Sequence, residues 1–157
     1  MDKMKVAIVG TVHQKGLEFL KDNGFEVLEV SDFNNQSLKD DLKFVDGILL
    51  RTSKLGEDIL SHCTNLKIIS RHGVGYDNVD IDYLNRNKIA LGITSTSNAV
   101  SVAEHVMSFF IYLTKNLSLS DSLVKQGNFE RKSELPNFFE LYKKKVLIVG
   151  FGRIGKE

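Results

Sequence analysis

The chain has 157 residues, enough for one ordinary domain or for a small domain joined to part of another. Its 21 basic and 20 acidic residues leave a net charge of +1 without a basic block, which argues against nucleic acid as the main partner. Cys63 is the single cysteine, so an intramolecular disulfide and a cysteine metal cluster are excluded. No apolar run is long enough to span a bilayer, and the N-terminus enters a strand without the apolar region of a signal peptide. A reducing, cytoplasmic setting is expected.

Val6–Val9 reads as a first buried strand. Gln14–Asn23, with Leu17, Phe19 and Leu20 near helical spacing, reads as a helix stopped at Asn23-Gly24. Phe25–Val30 alternates as a second strand, Ser37–Phe44 is a short charged helix, Gly47–Arg51 a third strand and Gly56–His62 another short helix. Leu66–Ser70 is a fourth strand ending in the loop Arg71–Asn78. Asp80 caps a helix from Ile81 to about Arg86, and Ile89–Ile93 is a fifth strand. The alternation predicts an α/β fold with a parallel sheet, helices on both faces and right-handed crossovers, in a flavodoxin-like domain spanning residues 1–95. Ligands of such sheets sit beyond the carboxyl ends of the strands, which points to Gly10-Thr11, Arg51–Ser53 and Arg71–Asn78.

Residues 96–157 read differently. Thr96 or Ser97 caps the longest helix, which runs to about Lys115 with apolar residues nearly all round it; such a helix is buried on most sides and reads as a spine between two domains. Leu117–Gly127 is a further short helix and Phe129–Lys144, with the only proline, Pro136, an arm or connecting loop. Val146–Val149 then has the wholly apolar pattern of a parallel strand and runs into Gly150-Phe151-Gly152-Arg153-Ile154-Gly155, a G-x-G-x-x-G turn. In a dinucleotide-binding turn the first glycine permits the exit from the strand, the second lets backbone amides approach a pyrophosphate, and the third lets the next helix pack closely. The sequence ends two residues later, before the acidic residue that would meet the ribose, so the cradle is expected to be incomplete.

Three segments occur in order: Arg71-His72-Gly73-Val74-Gly75-Tyr76-Asp77-Asn78-Val79-Asp80, Ser97–His105, and Gly150–Gly155. Together they resemble the NAD-dependent D-isomer-specific 2-hydroxyacid dehydrogenases, the family of phosphoglycerate, glycerate and formate dehydrogenases. The resemblance implies a flavodoxin-like substrate domain followed by an interdomain helix, an arm and only the first strand of a Rossmann domain. It implies that Gly73, Val74 and Gly75 present amides to a substrate carboxylate, with Val74 and Val102 near the nicotinamide. Gly150, Gly152, Arg153, Ile154 and Gly155 would meet the pyrophosphate of NAD. Arg51 and Arg71 match arginines that lie near the substrate in phosphoglycerate-type members, although each also reads as a surface charge. Asn98 matches a substrate contact of formate-type members, and also reads as a helix cap. The family's catalytic arginine, histidine and carboxylate have no counterpart in this sequence, and His13, His62, His72 and His105 match none of them. Two departures stand out: Ile93-Thr94-Ser95 where many relatives have Asn-Thr-Pro, and Phe129 where a tryptophan is common.

The resemblance implies hydride transfer between a small anionic 2-hydroxy or 2-keto acid and nicotinamide, with this chain alone inactive. An alternative is a non-catalytic anion-binding or oligomerising module, pairing into a homodimer or larger species through the helix and arm at 97–144. A receiver domain or flavin carrier on the same sheet is disfavoured, because the first strand ends Gly10-Thr11-Val12-His13, without an acidic cluster or a hydroxyl-rich phosphate loop.

Overall fold

Parallel strands cannot be joined by hairpins, so each must be followed by a crossover long enough to return the chain to the same end of the sheet. The computed structural model, which describes residues 3–157, follows that rule four times. β1 (Lys5–Val9), β2 (Glu26–Glu29), β3 (Gly47–Leu50), β4 (Ile68–Arg71) and β5 (Ala90–Ile93) form an all-parallel sheet of order β2-β1-β3-β4-β5. Between them lie α1 (Gln14–Asp22), α2 (Asn35–Asp41), α3 (Glu57–Leu60) and α4 (Ile81–Asn87). This is the flavodoxin-like α/β arrangement.

Side chains alternate across the sheet, and the alternation sorts the core. Ala7, Val9, Ile48, Leu50 and Ile69 face one way, into a cluster with Leu38 of α2, Ile59 and Leu60 of α3 and Leu84 of α4. Ile8 points to the opposite face, where it and Leu17 of α1 are buried outside that cluster. Cys63 lies in the main cluster; its thiol donates to the Ile59 carbonyl, and burial pushes its pKa up to about 11, so it is an inert core residue.

Local chemistry sets the helix starts. The Asp80 carboxylate accepts from the Tyr83 amide at 2.9 Å, as expected of an N-cap. α2 begins two residues earlier than the apolar pattern suggests, because the Asn34 side chain accepts from the Ser37 amide at 2.9 Å and caps the helix there. The His13 imidazole caps α1 by accepting from Lys15 N.

At the opposite end of the sheet one side chain ties three strands together. The Asp46 carboxylate accepts from the Lys5 amide at 2.8 Å and from Lys67 Nζ at 2.7 Å, beside the starts of β1 and β4, while its own backbone leads into β3. These two bonds, the Lys67 ammonium first, hold the Asp46 carboxyl below the ordinary aspartate range.

One compact unit ends at Ser97 and a second comprises Asn98–Glu157. The second contains α5 (Ala99–Thr114), α6 (Leu117–Lys125) and a 3-10 turn at Phe129–Glu134. Three expectations need correction here. The N-cap position of α5 is Asn98, which makes no side-chain cap bond, while the Ser97 hydroxyl donates to the Thr94 carbonyl instead. α5 is not buried on most sides: Val106, Met107, Ile111 and Leu113 are all exposed, and Ala99 is its one buried residue. Val146–Val149 forms no strand, and Leu147 and Val149 are almost fully exposed. A strand exists by pairing, and all five paired strands lie in the first unit, so this apolar run has no ladder to join.

Asp46→Asn should lower stability by roughly 1 kcal/mol at neutral pH. Because the folded-state pKa of Asp46 is depressed, its contribution is complete above the ordinary aspartate pKa and is lost as pH falls through the lowered value. Urea denaturation of the wild type and the variant should therefore converge on acidification and separate again toward neutrality.

Candidate functional site

The carboxyl ends of β1, β3 and β4 carry the residues singled out by the sequence. β1 leads into Gly10, at φ +112°, and a Cβ there would lie 2.8 Å from Arg51 Cβ at the end of β3. That close approach lets Arg51 reach across: its Nη1 donates to the Thr11 carbonyl at 3.1 Å, and its amide to the Val9 carbonyl at 2.9 Å. Arg51 is exposed, so the rest of its guanidinium faces solvent.

β4 ends at Arg71, and the chain then runs through His72, Gly73, Val74 and Gly75. The ladder continues a little past the strand, with the His72 amide donating to the Leu50 carbonyl at 2.8 Å and the Thr94 amide to the Gly73 carbonyl at 3.1 Å. Gly73 adopts φ +153° and its amide donates to the Arg71 carbonyl at 2.9 Å. Of the three amides expected to form an anion nest, that of Gly73 is therefore already engaged. The amides of Val74 and Gly75 have no acceptor among the described residues, so they are the two available donors.

The far side of this loop is braced from a distance. Leu55 and Val79, both buried, form an isolated parallel bridge in which Leu55 N donates to the Asn78 carbonyl and Asp80 N to the Leu55 carbonyl. The Asn78 amide group adds a 2.8 Å bond to the Ser53 carbonyl. Leu55 has no role marked in the sequence, and Gly10, Val79 and Thr94 are marked there without these contacts being revealed, because bracing of this kind depends on which loops the topology makes neighbours.

Three of the four histidines have local partners. His105 stacks against Phe109 with ring centroids 4.2 Å apart, His13 caps α1, and His62 lies beside the Ser61 hydroxyl. Among the described residues none is paired with a carboxylate, and no three His, Cys, Asp or Glu side chains gather as a metal ion would require. Among the described residues no helix is long and apolar enough to cross a membrane.

The chain from residue 6 to 146 matches the model of the D-isomer specific 2-hydroxyacid dehydrogenase catalytic domain. It belongs to that family. It is 32% identical over 154 residues to D-3-phosphoglycerate dehydrogenase of Bacillus subtilis, an alignment covering 98% of this chain and 29% of the relative. Among solved structures it is similar to the NAD-dependent formate dehydrogenase of Staphylococcus aureus in complex with NAD (26% identity, TM-score 0.84, 98% of this chain and 51% of that one). It is also similar to D-lactate dehydrogenase of Aquifex aeolicus complexed with NAD and lactic acid (29% identity, TM-score 0.77, 97% and 46%). The chain thus spans about a third of the curated relative and about half of each of these structures.

Gly150–Gly155, the segment expected to meet a dinucleotide, lies in the second unit with Asn98 and Val102. Gly150 has φ +97°, and the approach of Gly155 to the Gly150 carbonyl leaves no room for a Cβ, so the turn closes on itself. Residues 151–157 form turns without a helix. A pyrophosphate cradle relies on a helix N-terminus behind the turn, so the segment as folded does not fit the dinucleotide.

Gly10→Ala should destabilise the chain by about 1–3 kcal/mol, since it combines a strained φ with a collision against a backbone-proximal Arg51 atom. The urea midpoint should fall with the m-value unchanged.

Proposed function

We propose that residues 1–95 are the substrate-carboxylate domain of an NAD-dependent D-2-hydroxyacid dehydrogenase. Residues 96–157 are the interdomain helix, the arm and the beginning of its cofactor domain. The observation that carries this reading is the pair of unengaged amides, Val74 and Gly75, at the carboxyl edge of a parallel sheet with Arg71 and Arg51 ending adjacent strands. Two convergent amides bind an oxyanion by hydrogen bonds that need no charged partner, and two arginines on the same edge raise the local concentration of anionic substrate. The substrate is accordingly a small 2-hydroxy or 2-keto acid anchored by its carboxylate, handled in the cytoplasm. Asn98 is assigned to substrate contact and Val102 to the nicotinamide side by the family motif.

The whole enzyme's activity is hydride transfer, for which the bound nicotinamide supplies the chemistry. The residues of this chain hold and orient the carboxylate; no acid/base histidine lies among them. A protein of these 157 residues alone should show no turnover of 2-keto acids with NADH. It should still bind pyruvate, with saturating shifts of the Val74 and Gly75 amide resonances. Unmoved amides at high pyruvate would defeat the reading.

The exposed apolar residues of α5 favour a second role. Val106, Met107, Ile111 and Leu113 offer a surface that water leaves poorly solvated, and pairing two copies through residues 97–144 would cover it. Light scattering at micromolar concentration should give a mass of at least two chains, whereas a strictly monomeric profile would exclude this role.

A further inference from the structure

Residues 143–145 are three lysines, and residues 146–149 that follow are Val, Leu, Ile and Val. The apolar half is exposed along its whole length: 60% at Val146, 86% at Leu147, 56% at Ile148 and 91% at Val149. These values alternate with the two-residue period of a strand. The segment lies outside every helix and strand, and from residue 145 to 149 no amide donates and no carbonyl accepts a backbone hydrogen bond among the described residues. A short β-branched run without proline or charge, with its backbone unengaged and its side chains in water, is the composition from which strands between molecules are built.

We propose that a second copy of this chain supplies the ladder: residues 146–149 pair antiparallel with their own copy, about a two-fold axis at Ile148. The charge pattern selects both the partner and the direction. A parallel, in-register pair would set Lys143, Lys144 and Lys145 each beside itself, and like charges directly opposite one another destabilise a sheet. Centred on Ile148 and antiparallel, the pair sets Leu147 opposite Val149, Val146 opposite Gly150, Lys144 opposite Gly152 and Lys145 opposite Phe151. The apolar residues then meet one another, and the Lys145 ammonium faces an aromatic ring, to which a cation is attracted. The like charges that do meet, Lys143 and Arg153, fall at the outer ends of the pair. An isologous contact of this kind is self-complementary, so the same segment serves both partners. Centring it on Leu147 instead would set Lys145 against Val149 and lose an apolar pair.

The test is disulfide cross-linking of the full chain under mild oxidation by glutathione disulfide. Ile148→Cys should form a covalent dimer about tenfold faster than Val146→Cys or Leu147→Cys, because residue 148 alone faces its own copy at cross-strand distance. Cys63 is buried in the core and does not compete. In the wild type, the amides of residues 146–149 should gain hydrogen-exchange protection as the protein concentration rises. Mixing Ile148→Lys with Ile148→Glu should restore a protection that neither variant shows alone, since opposite charges then face each other at the axis. Equal cross-linking of the three cysteine variants overturns the proposal, whether fast, as a parallel pair gives, or slow, as pairing confined to residues 97–144 gives. Exchange that ignores concentration, or no rescue on mixing, overturns it as well. The exchange measurement needs no substitution, so it decides alone should the variants fail to fold.

Discussion

All five strands run in one direction, and that constraint organises everything else in the first unit. A parallel sheet gathers every carboxyl end at one edge and every amino end at the other. Loops leaving the carboxyl edge are free of the ladder, so their amides and side chains are available to a ligand, as the general rule for open α/β sheets requires. Arg51, Arg71 and the Val74–Gly75 amides are neighbours for this reason alone, although 20 residues or more separate the loop that ends β3 from the one that ends β4. The amino edge has the opposite task. Asp46 satisfies an orphan amide of β1 and pairs with Lys67 beside β4, so this edge is tied by hydrogen bonds.

Most of this sheet is legible in the sequence because its signals are local. Four- and five-residue apolar runs separated by polar helical stretches fix the order of elements, and Asp80 announces its helix with a side chain that caps it. What escapes is contact between loops. Gly10 reads as the end of a strand, yet its function in the fold is to make room for Arg51. Gly73 reads as one of three nest donors, yet its amide turns back to the Arg71 carbonyl, which leaves two of the three amides unengaged.

The second unit marks the limit of pattern reading. Val146–Val149 carries an impeccable strand pattern and forms none, since hydrogen-bonded partners make a strand and apolar composition only permits it. α5 has the helical periodicity but not the burial, because hydrophobicity all round a helix states what it needs and not what surrounds it. Both patterns belong to a chain that spans about half of the structures it resembles.

The Leu55–Val79 bridge has a consequence for anyone who would transplant this site. The Arg71–Asn78 loop is a two-piece part: it is braced by Ser53–Leu55, a segment some twenty residues upstream. Grafting Arg71–Asn78 onto another scaffold without Ser53–Leu55 would carry over the recognisable letters and leave behind the strut that shapes them.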